Sequence, residues 1–163
     1  MSFPIINQQF SDQANVWFYF LPKELGQDEI VYFEAEKNEF LQKWNSHGQA
    51  IFAEMVLVQN RLIIVVAENI SGSISGCSID KSLALMKSLS LKWQMDLLDR
   101  NWVIYEKSPG NLEFSRLNLF WALRKAHEIN DDTIVFDTTI QNVGQLRNAF
   151  KKTFSQSWHA QMW

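Results

Sequence analysis

The stretch SGSISGCSIDKS, Ser71–Ser82, carries the one cysteine of the chain between a Gly/Ser loop and an apolar pattern of helical spacing. A helix start offers unpaired N–H groups and a partial positive charge. Glycine ahead of it lets the backbone approach a ligand closely, and a helix start is a place where a cysteine can act as a nucleophile. Two chemistries follow. Ser75, Gly76, Cys77, Ser78 and Asp80 form a candidate site for a small anionic ligand. Alternatively Cys77 is a nucleophile served by a histidine base, with His47 and His159 as the candidates. Trp158, beside His159 near the C-terminus, is a candidate wall for either site. The same residues also have a purely structural reading. Gly72 and Gly76 permit a turn, Ser78 caps the helix, Cys77 is a small buried hydrophobe, and His47 meets the last carbonyls of the preceding helix.

Other chemistries find less support. A phosphate loop needs Gly, four residues, then Gly-Lys-Ser/Thr. Here Gly72 and Gly76 are separated by three residues and Cys77-Ser78 stands where Lys-Ser/Thr should be. His47, His127 and His159 show no i, i+4 pairing and Cys77 has no CxxC partner, so no metal site and no cofactor are expected. His127 falls near a helix end, where a cation favours the dipole. Asp131-Asp132 and the Asp96/Asp99 pair lie in predicted loops and read as solvated turns and helix starts.

The elements that would position these residues can be read from pattern. Val16–Leu21 is β-branched and aromatic, a strand that Pro22 stops. Asp28–Trp44 reads as a helix closed by His47-Gly48 at its C-cap. Ala50–Val58 and Arg61–Glu68 flank Gln59-Asn60 as a hairpin. Ile79, Leu83, Met86, Leu89 and Trp93 mark a second helix, with Ser78 as N-cap and Asp80 in its first turn. Trp102–Lys107 and Asn111–Phe114 flank Ser108-Pro109-Gly110 as a further hairpin. Leu119–Glu128 reads as a helix with Leu119, Phe120 and Leu123 on its core stripe. Thr133–Asp137 reads as a strand and Val143–Phe154 as a helix.

The order β-α-β-β-α-β is the ferredoxin-like, split βαβ arrangement. The expectation is an α+β fold with an antiparallel sheet, both helices on one face, and a C-terminal βα extension. One domain over 1–163 is expected: an arm over 1–14 pinned by Phe3, Ile5 and Phe10, a core over 16–107, and an extension over 111–163. In that topology the exit of the first helix meets the entrance of the second, which brings His47 to Cys77.

Bulk properties bound the function. The formal charge of −3, with no Lys/Arg run longer than two, argues against nucleic acid as partner. One cysteine forms no internal disulfide. The longest apolar run, Leu62–Ala67, is far short of a membrane span, and the N-terminus lacks a signal-peptide pattern. The expectation is a soluble cytoplasmic protein. Two Trp and a Met in Ser155–Trp163 point to a tail that docks on its own domain or on a second copy, so a homodimer is the candidate assembly.

SGCSID (Ser75–Asp80), the W-x-x-H-G segment Trp44–Gly48, DTIVFD (Asp132–Asp137) and SWH (Ser157–His159) together resemble a family of short bacterial proteins of unknown function. The likeness covers nearly the whole chain. Some members are called ABC transporter ATPases, a description that the failed phosphate loop does not support. The resemblance supplies no activity and no site residues. The leading expectation is therefore a non-enzymatic protein that binds a small anionic ligand or a protein partner at the Gly/Ser-Cys loop. A thiol enzyme and an assembly protein using its aromatic tail are the alternatives.

Overall fold

The chain is a mixture of strands and helices, and the strands assemble into antiparallel sheets. The computed structural model describes residues 6–163, so Phe3 and Ile5 of the expected arm lie outside the described residues. The chain divides into two compact units. One comprises the residues through Asp99 together with Asn142–Gly144; the other comprises Arg100–Gln141 and Gln145–Trp163.

In the first unit β1 (Asn15–Phe20) leads to helix α1 (Gln27–Lys43). A small hairpin, β2 (Asn45–Ser46) and β3 (Gln49–Ala50), then precedes β4 (Phe52–Val58), β5 (Leu62–Glu68) and helix α2 (Gly76–Trp93). The sheet order is β1-β5-β4, antiparallel throughout. β5 is central, and Leu62–Ala67 is buried residue by residue, which is why that run is apolar without alternation. Ile63, Val65 and Ala67 share a core with Phe33 of α1 and Met86, Leu89 and Trp93 of α2. The β4–β5 turn closes with the Arg61 N–H donating to Val58 O at 3.0 Å, with Gln59 and Asn60 at φ +48° and +56°.

The second unit holds β6 (Trp102–Ser108), β7 (Asn111–Arg116), helix α3 (Leu117–Lys125) and β8 (Ile134–Phe136). It continues through helix α4 (Val143–Asn148, whose first residues belong to the other unit), β9 (Lys151–Thr153) and helix α5 (Trp158–Met162). Its sheet order is β7-β6-β8-β9. Val103, Phe120, Ile129, Val135 and Phe154 form its core.

Several expectations require correction. The strand at Trp102 does not complete the first sheet. β6 has β7 on one edge and β8 on the other, so both its edges are taken. The β1 edge where a fourth strand would lie is met at Asn15 by Asn142, and the Val143 N–H donates to Ala14 O at 2.9 Å. The helix expected over 143–154 stops at Asn148, because Lys151–Thr153 pairs with β8 and Phe150 O accepts from the Asp137 N–H at 2.8 Å. On α3, Phe120 is buried whereas Leu119 is 56% exposed.

Candidate functional site

The end of α1 and the start of α2 do meet, and serines join them. The buried Trp44 indole donates to Ser78 O at 2.9 Å, and Ser78 Oγ donates to Asn45 O at 2.7 Å. The Ser75 N–H donates to Ser46 Oγ at 3.1 Å. Ser75 caps α2 by accepting from the Ser78 N–H at 3.2 Å. Since the Ser78 proton goes to Asn45 O, the 2.8 Å contact between the two hydroxyls has Ser75 as donor. The N-cap is thus Ser75 and not Ser78, and Asp80 lies beyond the first turn of α2. These hydroxyls are consumed by the fold, which leaves the N–H groups of Gly76 and Cys77 as the orphan donors of the helix start.

His47 also departs from expectation. It does not cap α1, which ends at Lys43 with Trp44 extended. His47 and Gly48, at φ +51° and +80°, form the two-residue turn of the β2–β3 hairpin. Positive φ at both positions is the type I′ geometry. His47, Gly76, Cys77 and Asp80 are all exposed, so the buried-hydrophobe reading of Cys77 is wrong. No hydrogen bond joins Cys77 to a histidine among the described residues.

Trp158 and His159 belong to the second unit. His159 is 1% exposed, stacked on Trp158 at 3.9 Å between ring centroids, with Phe120 at 5.5 Å. Its Nδ1 lies 3.2 Å from Ser157 Oγ, which itself donates to Phe154 O at 2.7 Å, so Nδ1–H is the donor. Burial pushes the imidazole down to about 4, although the Asp137 carboxylate pulls the other way. A base sealed among rings does not serve an exposed thiol. Burial pushes the Asp137 carboxyl up. Hydrogen bonds from Thr139 Oγ1 and N–H and from Lys152 Nζ outweigh this and hold it below its ordinary value.

The second unit contains a cleft of about 640 Å³ that the sequence reading missed. One wall is the β6–β7 hairpin, from Tyr105 through Pro109 and again at Glu113. The register shifts between Glu106 and Ser108, so Lys107 bulges at the rim, and Pro109-Gly110 with Gly110 at φ +79° turns the chain back. The opposite wall is the segment after α3. His127 at φ +61° ends that helix, with its N–H bonded to Arg124 O and the Glu128 N–H bonded to Leu123 O at 2.9 Å, a Schellman-type reversal. Arg124 clamps the reversed segment, donating to Ile129 O at 3.1 Å and to Asp131 Oδ1 at 2.5 Å. Asn130 Oδ1 accepts from the Asp132 N–H at 2.9 Å, a local turn that fixes the next residues. Leu123, Ile129 and Ile134 supply apolar lining.

Tyr105 stands opposite Glu113 in the hairpin register, 5.6 Å from Phe120 between ring centroids. Burial, and then the charges of Glu113 and Glu128, push its phenol up, so it stays protonated at neutral pH. Glu106 is paired with Lys151 at 3.0 Å. Glu113, Glu128 and Asp132 line the cleft without an ion pair among the described residues.

Among the described residues no group of three or more His, Cys, Asp and Glu is placed to hold a metal ion. No helix among them is long and apolar enough to cross a membrane. Comparison with protein-family models, with curated proteins and with solved structures returns no match. Two sequence signals did bear on the cleft. Ser108-Pro109-Gly110 marked one wall and Asp131-Asp132 the other. Neither implied that the two loops face each other, since that depends on β8 pairing with β6.

Proposed function

We propose that this protein binds a small molecule, and that the cleft of the second unit is where it binds. The observation that carries this reading is the cleft itself. About 640 Å³ lies within the range of small-molecule sites, and the lining combines apolar side chains with a few polar groups. Both walls are braced, one by strand pairing and the other by the Arg124 clamp, so little ordering would accompany binding.

The rim at the start of α2 offers less as a site for a small anion or for thiol chemistry. Its serine hydroxyls hold the two helix ends together, and its remaining groups face open solvent.

A neutral probe tests the cleft reading without assuming a ligand charge. Titration of 1-hexanol into isotope-labelled protein is expected to move the amide resonances of Tyr105, Leu123, Ile129 and Thr133 together. Ser108→Trp, which fills the mouth from an exposed position, is expected to abolish the movement. If those resonances stay fixed in the wild type, or move equally in the variant, the reading is wrong.

A further inference from the structure

Resting on that reading, we infer that the cleft takes an organic cation: a free amine or guanidine carried on an apolar stem. The charge of the lining decides the sign. Three carboxylates without an ion partner, Glu113, Glu128 and Asp132, face a single cation, Lys107 at the bulged rim. Glu106 does not count toward the ligand because Lys151 already neutralises it. The arrangement decides the shape. The carboxylates come from both walls, one on the hairpin and two after α3, and do not converge as a metal cage would. They suit a cation whose charged head lies between walls while its stem covers Leu123, Ile129 and Ile134.

Tyr105 adds to this. Its ring is held against Phe120, and aromatic faces attract ammonium and guanidinium groups. A bound cation beside Glu113 and Glu128 would also offset the repulsion between those two charges and any anionic form of the phenol. An anionic ligand would meet the opposite field at each of these positions.

Three probes that differ only in the head group separate the possibilities: n-hexylammonium, 1-hexanol and hexanoate, each followed by the amide shifts of Tyr105, Leu123, Ile129 and Thr133. Hexylammonium is expected to bind about fivefold tighter than hexanol, the sum of two partly exposed charge contacts, and to weaken as salt is added. Hexanoate is expected to bind more weakly than hexanol. Glu113→Gln combined with Glu128→Gln is expected to bring hexylammonium down to the affinity that hexanol shows in the same variant. Lys107→Glu, at an exposed position, is expected to tighten hexylammonium about twofold. If hexanol moves the cleft resonances but hexylammonium gains nothing over it, the cleft stands and the cation inference falls. If hexanoate binds as well as hexylammonium, the cation inference falls as well. If none of the three moves them, both readings fall.

Discussion

His159 shows how much one residue can differ from its sequence-level reading. In the sequence it is an imidazole in a Trp-rich tail and a candidate base; in the fold it is neutral, stacked and sealed. Its pKa is lowered from 6.5 to about 4, so the unfolded chain binds the proton that the folded chain refuses between those values. The stability that the neutral ring confers is complete above pH 6.5 and is lost as pH falls toward 4, below which both states are protonated. Asp137 titrates below its ordinary value, so its contribution persists through most of this window. We expect denaturant unfolding at pH 4.5 to show on the order of 2 kcal/mol less stability than at pH 7 through His159. In His159→Phe most of that difference should vanish. An equal pH dependence in the two proteins would refute this account.

At the scale of elements, the sequence was legible where the signal is local and silent where it is not. The 4-3-3-4 spacing from Ile79 to Trp93 located α2. It did not locate the N-cap, because Ser75 and Ser78 are both good caps and the choice rests on Ser46 and Asn45, about thirty residues away. His47-Gly48 is equally ambiguous in sequence, since a helix C-cap and a tight hairpin both want positive φ. Substitutions can test these assignments by thermal melting. Ser78→Ala breaks the bond to Asn45 O inside a buried site and should cost about 1–2 kcal/mol. Gly48→Ala forces a Cβ into the left-handed region and should cost about 1 kcal/mol. Gly76→Ala should be neutral or stabilising by up to about 1 kcal/mol, because a Cβ there meets nothing within 4 Å. A cost at Gly76 as large as that at Gly48 would contradict the placement of Gly76 as the first residue of α2.

At the scale of the whole molecule, the α+β class, the antiparallel pairing and the β6–β7 hairpin were readable, but the second partner of β6 and the sheet it belongs to were not. The order β-α-β-β-α-β is a one-dimensional fact, whereas sheet membership depends on contacts distant in sequence. One clue was present. Trp102, Val103 and Ile104 are consecutive large apolar residues and all three are buried, as in a strand covered on both faces. The tail follows a similar logic. Ser157 and His159 are buried within the second unit, whereas Met162 and Trp163 remain 64% and 55% exposed. Deleting 156–163 would therefore remove core groups along with any interface. Met162→Ser with Trp163→Ser isolates the surface, and its elution volume should exceed that of the wild type if the tail joins two copies. Identical elution at matched concentration would exclude the tail as the assembly contact.

The position of the one sulfur has a practical consequence. Cys77 is exposed and no other residue of the chain carries a thiol. A maleimide dye would therefore attach once per molecule, in a known place, without prior mutagenesis. The dye would sit in the first unit, at the start of α2, and would give single-molecule optics a handle on the native chain.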